Sequence, residues 1–150
     1  MTATAHALVG GAIAASVQNP ALGLSLSAIS HPLLDTIPHW DFGWGWRQKS
    51  KLLLFTESVF DLSLGFVLAY LLFGQHVNFW YFLACVFVSE VWDILEAPYW
   101  FFGWKFFPFG IIYKIQSQMQ GRAKTMELGI LTQVATVVLI VLVLQIFPKF

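Results

Sequence analysis

Charge is what this sequence has least of. Lys and Arg number 8 and Asp and Glu 8, so 11% of the 150 residues are charged and the net charge is zero. A chain with no basic excess has no face on which to gather phosphates, which argues against a nucleic-acid partner. Cysteine is almost absent as well. Cys85 stands alone in an apolar run, which excludes a disulfide within the chain and a cysteine-rich zinc site. What is abundant is hydrocarbon: 58% of residues are hydrophobic, with 15 Phe, 7 Trp and 4 Tyr, and the mean hydropathy is +0.71. Such a composition lies far from that of soluble domains. It predicts an all-α, polytopic integral membrane protein, a single helical bundle over residues 1–150 with about five transmembrane or membrane-embedded helices.

Five segments carry that expectation. Thr2 to Val17 is rich in alanine and glycine, and Asn19-Pro20 ends it while Pro20 opens the next, which runs from about Ala21 to Ile37. Both are short for a span, for which about 17 residues is the lower limit, so tilting, shielding by other helices or re-entry is expected of them. Leu52 to Phe73 and Val77 to Ala97 are full-length candidates on either side of a Gly74-Gln75-His76 turn, and Met126 to Phe147 is the last. The leading segment lacks the basic start of a signal peptide and reads as a packed helix instead. Its Gly10, Gly11, Ala12, Ala14 and Ala15 invite close approach of a neighbour. The stretch from Tyr99 to Tyr113 is too broken by glycine and proline to span, and its aromatics and lysines suit the membrane interface.

Arg47, Lys49, Lys51, Lys105, Lys114, Arg122 and Lys124 fall in the loops after the second and fourth segments, and only Lys149 lies elsewhere. If all five segments cross, those loops share the cytoplasmic side and the N-terminus is cytoplasmic. This topology, drawn from Lys and Arg alone, brings the acids and histidines together. His6 begins the first helix, His31 and Asp35 end the second, His39 and Asp41 follow in the loop, Glu57 and Asp61 lie early in the third, and Glu90, Asp93 and Glu96 lie late in the fourth. All sit at one membrane face, within roughly 15 Å in depth at ~1.5 Å per residue. His31 with Asp35, Glu57 with Asp61, and Glu90 with Asp93 are spaced to share a helix face. Inward-facing histidines and carboxylates from several helices are how bundles hold metal ions. With no Lys or Arg inside the spans, a bound cation would supply the missing charge. The peripheral residues read more plainly: Glu96 and Glu127 as interfacial charges at helix ends, and Trp40, Trp44 and Trp46 as interfacial belt residues.

The stretches TAHALVGG (Thr4 to Gly11) and AISHPLLDTIPHWD, followed by acidic helices and a later GILTQV, resemble the bacterial membrane-bound metal-dependent hydrolases, a family of small inner-membrane proteins. The resemblance covers mainly residues 1–61 and rests on the SHxxLD pattern. The chain lacks the His-Arg-Gly-x-Thr-His stretch of longer members. The resemblance implies hydrolysis at the inner membrane, with His6, His31, Asp35 and Asp61 matching most directly and His39 and Asp41 matching a Pro-His-x-Asp element. Together with the spacing, this gives expected metal ligands His6, His31, Asp35, His39, Asp61 and Asp93, and catalytic candidates Glu57, Glu90 and Asp41.

A site of histidines and carboxylates without thiolate suits zinc or manganese, and the number of carboxylates has room for two ions. A carboxylate not used as ligand, Glu57 or Glu90, is placed to act as general base. At a membrane face beside aromatic and basic residues, the expected substrate is a small amphiphile of the membrane lipid, a phospholipid-like or isoprenoid phosphate ester. The competing readings are a metal-ion or proton-coupled transporter and a bundle with a structural ion. A transport path needs polar groups through the whole membrane, and the outer halves of the third, fourth and fifth segments are nearly all apolar.

Overall fold

The computed structural model describes residues 1–146. The expected end of the last segment at Phe147, and Lys149 with its place in the charge bias, lie outside them. The described residues form an all-α fold without strands. Its helices are α1 (Ala3–Ser16), α2 (Pro20–Asp35), α3 (Lys51–Phe73), α4 (Phe79–Ser89), α5 (Val91–Phe102), α6 (Phe109–Met119) and α7 (Met126–Ile146).

Their starts follow local chemistry. Thr2, Asn19, Ser50 and Asn78 each place a side-chain oxygen on a free N–H of the helix that follows, the ordinary way to satisfy the first turn. Pro20 sits at the opening of α2, where no N–H is needed. α5 ends at Gly103, whose φ of 70° is easy only for glycine.

α1 is the hub, packing against α2, α3, α4 and α7. Small residues make this possible. A Cβ at Gly10 would come within 2.7 Å of Ser89 Oγ, and one at Gly65 of α3 within 2.6 Å of the Thr4 Cα. The close-approach expectation for the first segment therefore holds. α1 is correspondingly buried along most of its length, from Ala5 to Ala14.

Two helical stretches, Lys51–His76 and Met126–Ile146, are long and apolar enough to cross a membrane, with hydropathies of 1.8 and 2.4. Only 22% and 17% of their most apolar windows are buried within the protein, so they turn hydrocarbon outward, unlike the core helix of a soluble domain. α1 and α4 are shorter apolar helices.

The structure differs from the sequence reading in one helix. The expected continuous helix from Val77 to Ala97 is broken at Glu90, between α4 and α5. The Ser89 carbonyl, which a continuous helix would direct to the Asp93 N–H, instead accepts from His31 Nδ1 at 2.6 Å. α6, within and beyond the aromatic interfacial stretch, packs back on α5. The chain after α6 pairs with the end of α2: the Gly121 N–H donates to the Asp35 carbonyl at 2.6 Å, and His39 and Arg122 form a parallel bridge.

Candidate metal centre

The break at Glu90, the start of α1 and the end of α2 meet at one point. His31, on the last turns of α2, is fully buried. Its Nδ1 faces a carbonyl, which can only accept, so Nδ1 carries a proton, and whenever the ring is neutral Nε2 presents a lone pair. That Nε2 lies 3.3 Å from Asp35 Oδ2 and 3.3 Å from Asp93 Oδ1, yet it makes a hydrogen bond to neither. Three such atoms facing one another call for a positive charge among them, which either a proton on Nε2 or a metal ion supplies. Neighbouring ligands on a tetrahedral ion with bonds of ~2.0–2.1 Å are themselves about 3.3 Å apart. The donor set and its spacing therefore fit a metal ion. The Ser89 carbonyl supplies the outer contact that fixes a ligating histidine.

Two overlapping groups share this geometry. His6, His31 and Asp35 form one and His31, Glu90 and Asp93 the other, the donor atoms in each lying within 4.8 Å of one another. His6 contributes Nε2 at 3.2 Å from Asp35 Oδ1, and its ring stacks on that of His31 with centroids 3.7 Å apart. His6 Nδ1 and Glu90 Oε1 are buried without hydrogen-bond partners. The cation that touches the cluster is the Met1 ammonium, against Asp35. A buried His/Asp/Glu group able to hold a metal ion is thus present, as the sequence implied.

The remaining expected residues divide. His39 lies beside the cluster, with Nε2 3.9 Å from Asp35 and 3.2 Å from Asp41 Oδ2, and its Nδ1 donates to the Ile37 carbonyl at 2.8 Å. Asp41 is buried, takes a bond from Gln120 Nε2 at 2.9 Å, and keeps Oδ1 unpartnered.

Asp61 stands outside both ligand groups. Its carboxylate instead holds the start of α1, accepting from the Ala3 N–H at 2.7 Å, the Thr4 N–H at 3.1 Å and Thr4 Oγ1 at 2.7 Å. It thereby positions His6, less than one turn further on. Asp61→Asn is expected to leave metal content unchanged and to lower the thermal midpoint, since charge-assisted bonds of this kind are worth ~1.5–3 kcal/mol each. Loss of metal at unchanged stability would make Asp61 a ligand after all. Glu57 is bound to Lys49 Nζ at 2.5 Å.

The cluster opens into a cavity of about 640 Å³ whose floor carries Asp35, Glu90 and Asp93. Its walls hold residues that the sequence reading assigned elsewhere. Glu96 is buried rather than interfacial, accepting from Trp100 Nε1 at 2.7 Å. Trp44 and Trp46 line the cavity, and Trp46 stacks on Trp100 with centroids 5.7 Å apart. Arg47 lies over the Trp46 ring and, with Arg122, brings positive charge to the cavity. Glu96 and Trp100 come in on α5 and Arg122 from the loop after α6, whereas Trp44, Trp46 and Arg47 belong to the segment between α2 and α3 that directly follows His39 and Asp41. Compared with known protein families, curated proteins and solved structures, the chain matches none.

Proposed function

We propose that this protein is a membrane-bound, metal-dependent hydrolase that cleaves a lipid phosphate ester at the cytoplasmic face of a bacterial inner membrane. The carrying observation is His31 Nε2, buried without a hydrogen-bond partner between Asp35 and Asp93, which line a cavity that also contains two arginines. The resemblance of residues 1–61 to the membrane-bound hydrolases points the same way.

His31, Asp35, His6 and Asp93 would hold a divalent ion, zinc or manganese, which would supply a Lewis acid for a phosphoryl oxygen and make water a better nucleophile. Arg47 and Arg122 pair with the anionic head, a task for which the planar guanidinium is suited. The unpartnered Glu90 oxygen accepts a proton from the attacking water as its oxygen bonds to phosphorus. The phosphorus–oxygen bond to the alcohol breaks, and Glu90 returns the proton to the departing oxygen. Only water is consumed. Asp35 is held by His6, Asp41 by His39 and Gln120, and Asp93 by Gln116, so little reorganisation is needed.

The direct test is turnover. Purified protein loaded with zinc or manganese should release phosphate or head group from lipid phosphate esters in bilayers. Full metal occupancy with no hydrolysis across phosphate and acyl esters would remove the enzyme reading and favour an ion-binding role.

The five-span arrangement with a cytoplasmic N-terminus belongs to the same proposal, supported by the bias of Lys and Arg. The native thiol, Cys85, is fully buried and silent to a labelling reagent. In intact cells, Gln75→Cys should react with a membrane-impermeant maleimide, and Gln118→Cys only after the membrane is opened. The reverse pattern would invert the topology.

A further inference from the structure

α3 and α4 both pack on α1, but a second, apolar groove of about 380 Å³ lies between them. Phe66 and Val67 of α3 and Leu83, Val86 and Phe87 of α4 form its walls. Further along the same two helices Tyr70 meets Phe79 and Phe82 edge to face, with centroids 6.3 and 5.8 Å apart. One end of the groove runs into the polar cavity, because Leu62, Glu90 and Ile94 line both. Its rim is open along the lipid-facing side, where Leu62, Val67 and Phe87 are 41%, 52% and 56% exposed.

We propose that this groove seats one hydrocarbon chain of an anionic membrane lipid whose head group occupies the polar cavity. The inference rests on the lipid phosphate ester reading of the metal site and adds where the tail lies. Three observations converge on that occupant. The groove belongs to a helix with the length and hydropathy of a membrane span, so what meets it is hydrocarbon. The adjoining cavity presents Arg47 and Arg122, which select an anionic head over a neutral one. Glu90, with its buried unpartnered oxygen, stands at the junction of the two, so a lipid lying across both places the bond between head and tail beside it. The tail enters sideways from the bilayer, and the lipid need not leave the membrane to be cleaved.

The test is photo-crosslinking of the full chain, reconstituted with zinc in phosphatidylcholine vesicles. Phosphatidic acid in its non-hydrolysable phosphonate form, bearing a diazirine in the middle of one acyl chain, is compared with diacylglycerol carrying the same label, so that turnover cannot convert one into the other. The phosphatidic acid should label Phe66, Val67, Leu83 or Phe87 more strongly by about tenfold or more. Leu83→Trp or Val67→Trp should remove that labelling while zinc content is retained. Equal labelling by both lipids would mean ordinary boundary lipid and overturn the proposal. Protein-to-protein adducts at these positions would place a second copy there and also overturn it. Crosslinking requires no turnover, so labelling without hydrolysis would sink the enzyme reading alone, and hydrolysis without labelling would sink this one alone.

Discussion

Replacing His31 with alanine should strip the protein of bound metal. His31 is the one residue common to both ligand groups, and its ring is fixed by the Ser89 carbonyl with Nε2 turned toward Asp35 and Asp93. Outer contacts to metal ligands are themselves worth ~10–100-fold in affinity, so loss of this ligand should weaken binding by at least about 100-fold. Asp35→Ala should behave alike, since Asp35 meets His6, His31 and His39. Glu127→Gln, on the exposed start of α7, should bind metal as the parent does. The measurement is metal per folded protein after dialysis, with helicity checked by circular dichroism. Undiminished metal in both folded variants would refute the centre as drawn and leave the cluster as a hydrogen-bonded polar network around the Met1 ammonium.

The same residues show how far a sequence carries a reader. The boundary between α1 and α2 and the end of α3 were legible because their signals are local: Asn19-Pro20 and the Gly74-Gln75-His76 turn each end or open a helix by their own chemistry. The convergence of His6, His31, Asp35, Glu90 and Asp93 was legible because helical spacing and the distribution of Lys and Arg place them at one end of the bundle. The break at Glu90 was not. Residues 88 to 92 contain neither glycine nor proline, and the bond that holds the Ser89 carbonyl out of the helical ladder comes from His31, distant in sequence. The bonds that hold Asp61 were hidden for a related reason. A carboxylate four residues from another looks like a ligand pair, whereas the free N–H groups of α1 that claim it belong to a different helix. Glu96, Trp44 and Trp46 looked interfacial because hydropathy registers a nearby helix end, while the burial of Glu96 and the cavity position of the half-buried tryptophans come from contacts with Trp100 and the rest of the cavity wall, distant in sequence.

Glu90→Gln should separate metal binding from chemistry. Of the two carboxylates expected from sequence as a base, Glu57 is held by Lys49, whereas Glu90 is 2% exposed, lines both the cavity and the apolar groove, and keeps Oε1 unpartnered. Glutamine preserves the size and one acceptor but cannot take a proton. Turnover of a lipid phosphate ester should therefore fall by about 10²–10⁴-fold, the usual worth of a positioned base. His31, Asp35, His6 and Asp93 remain to hold the ion, so metal content should stay near that of the parent. Glu57→Gln should leave turnover within a few-fold, since its loss frees Lys49 without touching the cavity floor. A fall in metal parallel to the fall in rate would make Glu90 a ligand, and the proton would then pass to Asp41, the other buried carboxylate with a free oxygen at the cavity. Unchanged turnover in Glu90→Gln with a large loss in Glu57→Gln would reverse the assignment and show that the Lys49 pair opens when substrate binds.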